Sequence, residues 1–213
     1  MSREDPEIEI SSAQSPKPLK RPRPGPPPSV VGEVGAPAGE WAIFLHLEAI
    51  GAIIDSLPGQ EQIEVGGLLV GRECEDEAGT YLLIDSAIPA RQTRGTSVSV
   101  TFTHETWNQL SAEKASRYPD QAIVGWYHTH PGLGVFLSER DLFIHRNFFA
   151  DSTHIAVVID PSKFAWGIFY WQDSELVAAP GCYIYGELAE EYQRLSELLP
   201  CYQAGGTHQV VGH

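Results

Sequence analysis

Gly125-Trp126-Tyr127-His128-Thr129-His130-Pro131, then Gly132-Leu133-Gly134-Val135-Phe136-Leu137 and Ser138-Glu139-Arg140-Asp141, is the stretch that decides how this chain folds. Ala122 to His130 is rich in β-branched and aromatic residues and reads as a strand that Pro131 ends. A glycine-bearing loop follows, and Ser138 opens a helix over SERDLFIHRNFFA. HIAVVID (154–160) is a continuous apolar run, which predicts a strand buried on both faces. Strand, loop, helix and strand in this order predict a sheet covered by helices.

The same pattern continues outward. WAIFLHL (41–47) predicts a strand, and LEAIGAIIDSL (47–57) a helix ending at Pro58. QIEVGGLLVGR (62–72) and TYLLIDSAI (80–88) predict a hairpin across the loop CEDEAGT. SVSVTF (97–102) alternates and predicts a strand, and THETWNQLSAEKASR (103–117) a helix capped by Thr103. FAWGIFYW (164–171) follows HIAVVID across the tight PSK turn, CYIYG (182–186) adds a strand, and ELAEEYQRLSELL (187–199) an amphipathic helix. The expected class is α/β or α+β, with a mixed sheet flanked by helices across residues 39–200.

Both ends are expected to lie outside that domain. Nine prolines, no aromatic residue and no apolar periodicity mark residues 1–38 as a disordered tail. Its KPLKRPRPGPPP segment favours polyproline II geometry and could dock on a partner, although a bare linker explains it as well. Residues 201–213, after Pro200, are expected to form a flexible C-terminal tail.

Composition narrows the chemistry. Five basic and five acidic side chains balance within residues 1–39, so the whole net charge of −14 sits on residues 40–213. An acidic domain is a poor nucleic-acid binder. No apolar run is long enough to span a membrane, and the charged MSREDPEIEI is unlike a signal peptide, so the cytoplasm is the expected address. Cys74, Cys182 and Cys201 are scattered without a CxxC pair, which predicts free thiols and no cysteine metal site.

Histidine and carboxylate carry the remaining chemistry. On a strand, residues two apart point the same way, so His128 and His130 can converge on one zinc ion. An HxH pair alone is a weak signal, and Ser138-x-x-Asp141 alone reads as a helix cap. With seven residues between His130 and Ser138, however, two imidazoles and one carboxylate can meet and leave a fourth tetrahedral position open, the arrangement of a catalytic site. Such a site needs a general base. Glu64, flanked by apolar residues on the expected strand 62–72, is the candidate, though alternation alone leaves its direction open.

Glu64-Val65-Gly66-Gly67-Leu68-Leu69-Val70-Gly71, the run from Gly125 to Gly134, and Phe136-Leu137-Ser138 with Asp141 closely resemble the signature of the JAMM/MPN+ (Mov34/MPN/PAD-1) zinc metalloproteases. GTSVSV (95–100) and HIAVVIDP are similar to the members found in the proteasome lid. The resemblance runs from about Trp41 to Trp171. It implies an MPN/JAB1 fold, which is a cytidine-deaminase-like curved mixed sheet between helices. It also implies zinc held by His128, His130 and Asp141, with Glu64 as general acid/base and Ser138 stabilising the oxyanion. Deaminase chemistry itself is not expected, because H-x-E…P-C-x-x-C is missing.

The activity implied is hydrolysis of the peptide or isopeptide bond after the Gly-Gly terminus of ubiquitin or a ubiquitin-like modifier, with conjugates of that modifier as partners. Its tail would add as a strand at an edge near Thr93–Val98. One variant is a peptidase that processes a prokaryotic ubiquitin-like or sulfur-carrier protein. Another is a catalytically silent scaffold of the same fold. The chain departs from the family at Val135-Phe136, where many members have Cys-Trp. His145, four residues after Asp141, resembles a histidine of the endosomal AMSH-type members and is expected to line the pocket or support the ligands, not to bind metal.

Overall fold

The computed structural model describes residues 17–24, 28–37, 41–57, 63–90, 103–163, 165–187, 189–196 and 201–203. The expected strand 97–102 and the substrate edge at 93–98 lie outside these residues.

Eleven strands among the described residues form one mixed sheet. Its centre is β4 (Gly66–Asp76), joined by a turn at Glu77 and Ala78 to its antiparallel partner β5 (Gly79–Pro89). β6 (Ala122–Thr129) pairs antiparallel with the other side of β4, and β7 (Ile155–Asp160) runs parallel to β6. β8 (Ala165–Gln172) returns antiparallel beside β7. On the far side of β5 lie β3 (Ala42–His46) and β10 (Gly181–Gly186), both in parallel pairings. Register shifts at Leu69/Val70, Val70/Gly71 and Ile184/Tyr185 insert bulges, which bend and twist the sheet.

Strand alternation sends most of the buried side chains into two cores, while Phe44, Cys74, Tyr81, Leu83 and Tyr185 form a third, smaller cluster. Leu69, Tyr127, Val157 and Ile159 pack on one face with Ile50 and Ile53 of α1 (Leu47–Ser56) and Leu195 of α4 (Ala189–Ser196). Leu68, Val70, Trp126, Ala156 and Val158 pack on the other with Trp107 and Leu110 of α2 (His104–Arg117) and Leu142 and Ile144 of α3 (Glu139–Phe148). Thr103 caps α2 as expected, accepting from the Thr106 amide. Among the described residues no helix is long and apolar enough to cross a membrane.

Described parts of both terminal segments, expected to lie outside the domain, join the sheet. Ser29–Gly35, assigned by composition to the tail, is the edge strand β2, antiparallel to β10. Val31 and Val34 pack against the core and Tyr192 covers Gly32, so apolar contacts override the surrounding prolines. Upstream, Lys17–Pro18 (β1) pairs with β4, and the Tyr81 hydroxyl donates to the Leu19 carbonyl at 2.5 Å. Arg21 grips Asp76 with two hydrogen bonds of 2.7 and 2.8 Å. At the other terminus Cys201–Tyr202 (β11) lies parallel to β8, and the Tyr202 hydroxyl donates to the Ala179 carbonyl. The short β9 (Glu175–Ala178) also went unforeseen. It hairpins with β8 through Asp173 and Ser174, both at positive φ.

Cys74 and Cys182 are buried free thiols, and burial pushes the Cys182 thiol up to about 12. A cavity of about 240 Å³, lined in part by Arg23, Trp41, Phe44, Tyr170 and Tyr183, contains none of the residues singled out for chemistry.

Candidate metal centre

β6 delivers the two histidines. His128 lies opposite Gly66 of β4 and beside Val158 of β7, in the middle of the sheet. His130 lies one residue past the strand, where its amide still donates to the Ile159 carbonyl at 2.8 Å. Both neighbours of β4 approach closely at Gly67. A Cβ at Gly67 would collide with the Ile88 carbonyl oxygen and press on the Tyr127 ring, so only glycine fits there.

The loop after His130 is folded back by Asp160. Its carboxylate accepts from the amides of Gly132 at 2.9 Å and Gly134 at 2.7 Å, both glycines standing at positive φ. Val135 and Leu137 are buried in the core beneath. This brings Ser138 to the N-terminus of α3, where it forms a capping box with Asp141.

His128, His130 and Asp141 meet there, each less than a tenth exposed. The two Nε2 atoms are 3.1 Å apart, His128 Nε2 is 3.4 Å from Asp141 Oδ1, and His130 Nε2 is 3.2 Å from Asp141 Oδ2. Three donors at about 2.0–2.1 Å from one tetrahedral ion would be about 3.3 Å apart, so the set has the spacing of a metal site. Its protonation also suits a cation. Burial lowers the His128 pKa, favouring neutral imidazole. Burial alone would raise the Asp141 carboxyl, but hydrogen bonds from both histidines and from Ser138 overcome it and hold the carboxylate ionised. Neutral imidazole and ionised carboxylate are the forms that bind metal. The group can therefore hold a metal ion.

Glu64 precedes β4 by two residues, not within the strand as the sequence suggested, and is half-buried. Thr129 fixes its neighbour: the Val65 amide donates to Thr129 Oγ1 at 2.9 Å, and the Thr129 amide donates to the Val65 carbonyl at 2.8 Å. Continuing the Gly66–His128 register sets Glu64 opposite His130, on the same face as both histidines. Its carboxylate acts electrostatically on His128. The direction that alternation left open is thus toward the donors.

Ser138 is engaged with Asp141. Its hydroxyl donates to Asp141 Oδ2 at 2.5 Å, and its amide donates to the same oxygen at 2.8 Å. His145 is fully buried and accepts from Trp126 Nε1 at 3.0 Å; burial lowers its pKa to about 3, with His154 and His128 adding to the shift. It is not in the donor group. His154 is in the core, and exposed His104 opens α2. His46, which had no sequence signal, caps α1 by accepting from the Glu48 amide.

Sequence reasoning missed three supporting residues. Thr129 ties down the Glu64 segment, Asp160 the loop, and the Trp126 ring lies on His128 with centroids 4.4 Å apart and planes 11° apart. Only Trp126 had a readable signal, since two residues before His128 is the same face of the strand.

Residues 41–153 match the family described as JAB1/Mov34/MPN/PAD-1 ubiquitin protease. Among curated proteins, the chain is 34% identical over 127 residues to an NAD(+) hydrolase TcpA of Theionarchaea archaeon, covering 59% of this chain and 36% of that one. It is 35% identical over 107 residues to the ubiquitin carboxyl-terminal hydrolase RPN11 of Saccharomyces cerevisiae, covering 49% and 34%. It is 37% identical over 107 residues to the 26S proteasome non-ATPase regulatory subunit 14 of Dictyostelium discoideum, again 49% and 34%. The chain therefore spans about a third of the length of these relatives. Among solved structures, protein DSY2949 of Desulfitobacterium hafniense is 19% identical with a TM-score of 0.49, covering 68% of this chain and 94% of its own.

Proposed function

The chain belongs to the JAB1/Mov34/MPN/PAD-1 family, and from that premise we propose that it is a zinc-dependent isopeptidase, active in the cytoplasm, that hydrolyses the bond after the Gly-Gly end of ubiquitin or a ubiquitin-like modifier. The observation that carries the reading is the spacing of three buried donors, 3.1 to 3.4 Å apart. The named activities of the relatives belong to proteins about three times as long as the matched segments, so the substrate rests on the family and the activity on the site.

His128, His130 and Asp141 would hold the zinc, which supplies a Lewis acid that acidifies a water and polarises the scissile carbonyl. Glu64, on the same face, takes a proton from the attacking water and returns it to the departing amine as the carbon–nitrogen bond breaks. Ser138 keeps Asp141 oriented through its amide, while its single hydroxyl proton, given to Asp141 Oδ2 at rest, turns to the developing oxyanion in the transition state. Thr129 holds the Val65 backbone, so Glu64 reaches the water from a fixed position.

The test is incubation of the full chain with ubiquitin and ubiquitin-like Gly-Gly fusions and isopeptide conjugates, read by intact mass. Cleavage after Gly-Gly is expected, abolished by a zinc chelator and restored by added zinc. Glu64→Gln should lower the turnover number about 10³-fold and leave zinc content unchanged. Cleavage that continues unaltered in chelator, or in Glu64→Gln, would refute the mechanism. A chain without bound metal or cleavage would be a scaffold.

A further inference from the structure

We propose that Trp126 and His145 form a positioning pair that sets the plane of the His128 imidazole, an inference that rests on His128 being a zinc ligand. Trp126 and His128 are two residues apart on β6, so their side chains leave the same face of the sheet. The indole is nearly parallel to the imidazole, 4.4 Å away, and Phe149 stacks on the indole at 5.8 Å and 12°. Stacking alone leaves flat rings free to slide. The bond from Trp126 Nε1 to His145 Nδ1, 3.0 Å long, fixes the indole within its own plane.

Two unpartnered nitrogens give the pair its purpose. In many metal sites a ligating histidine is oriented by a hydrogen bond from its other ring nitrogen. His128 Nδ1 is buried and has no such partner among the described residues, so that task falls to the stacked indole. His145 accepts at Nδ1, so in its neutral form it carries the proton on Nε2, which is also buried without a partner. An apolar side chain would fill the same space without stranding a polar nitrogen. What imidazole adds is an acceptor for the indole.

The experiment uses the full chain with three substitutions. His145→Gln keeps an acceptor, His145→Leu removes it, and Trp126→Phe keeps a ring but removes the donor. Zinc affinity is measured by competition with a chromophoric chelator, and the Trp126 indole N–H is followed by ¹⁵N NMR in metal-free protein. We expect His145→Leu and Trp126→Phe to weaken zinc binding about tenfold, and His145→Gln to stay within about twofold. The double variant should be no weaker than either single, because both remove one bond. The indole resonance should be protected from exchange in wild type and His145→Gln and unprotected in His145→Leu.

Wild-type zinc affinity in His145→Leu and Trp126→Phe would overturn the pair, as would a His145→Gln loss equal to that of His145→Leu. Should His145→Leu fail to fold, Trp126→Phe decides alone. A wild-type chain that binds no zinc would sink the ligand assignment. Zinc binding indifferent to these variants would sink only the pair.

Discussion

Asp141 at the start of α3 and Asp160 at the end of β7 are both buried carboxylates near His130, yet they are satisfied in opposite ways. Asp160 accepts from four backbone amides, those of Gly132, Gly134, Ser162 and Lys163, at 2.7 to 3.2 Å. Those fixed dipoles complete its coordination, and its work is to shape the loop. Asp141 takes a hydroxyl and an amide from Ser138, and its remaining neighbours are two imidazole nitrogens. With His128 held neutral by burial, the two facing nitrogens and the carboxylate form a group that can hold a cation. Equal burial therefore does not mean equal role. What distinguishes the two is that Asp160 is surrounded by backbone amides, whereas Asp141 faces two imidazole nitrogens.

Replacing each carboxylate should separate the roles, and the largest effect belongs to Asp141. Asp141→Ala should take bound zinc from about one equivalent to a small residue and reduce Gly-Gly cleavage to background, by metal analysis and intact mass. Its fold should persist, because α3 remains packed through Leu142 and Ile144. Full zinc occupancy in folded Asp141→Ala would erase the distinction.

Asp160→Ala should act on stability first. It strips the acceptor from four amides, two of them on the loop that carries Ser138 toward the site, and should cost about 3 kcal/mol in denaturant unfolding. Zinc binding should weaken while remaining detectable, because every donor is still present. If folded Asp160→Ala lost zinc as completely as Asp141→Ala, the loop anchor would belong to the site itself.

Acid tests the histidine side of the comparison. Burial lowers the pKa of His145 to about 3 and that of His154 in the same direction, from an unfolded value of 6.5. Between those limits the unfolded chain binds more protons than the folded one, so stability falls as pH drops from about 6.5. The slope is at most about 1.4 kcal/mol per pH unit for each histidine. His145 stops contributing near pH 3, where the folded state also takes the proton. Urea unfolding of metal-free protein between pH 7 and 4 measures the slope, and His145→Gln should make it shallower. An unchanged slope in that variant would mean that His145 does not contribute.

Much of this was legible in the chain because it is local. β-branched and aromatic content read β6, a continuous apolar run read β7, the Ser138-x-x-Asp141 spacing read the start of α3, and the HxH pair with that cap read the donors. What could not be read depends on partners distant in sequence. Thr129 matters because Val65 happens to lie across from it, and Asp160 because a loop 26 to 28 residues earlier folds onto it. β2 was hidden for a different reason: its valines stand within a proline-rich composition, and only the exposed edge of β10 makes them a strand. Glu64 fell between the two cases. Its residue type was suggestive, but its direction required the β4–β6 register.

Ser138 gives the smallest expected effect in stability, and it separates two tasks in one side chain. As a helix cap, its hydroxyl accepts from the Asp141 amide at 3.3 Å, a long bond, so Ser138→Ala should cost about 1 kcal/mol in thermal or urea unfolding. As the donor to Asp141 Oδ2 at 2.5 Å, it also fixes which way that carboxylate faces. Ser138→Thr preserves the hydroxyl and should restore the cap. Were the cap its whole role, cleavage by Ser138→Ala would stay near wild type once the protein is fully folded. With the oxyanion role as well, the turnover number should fall about 10²-fold while KM and zinc content hold. A loss confined to zinc content would instead assign Ser138 to Asp141 alone, leaving the developing oxyanion to other groups.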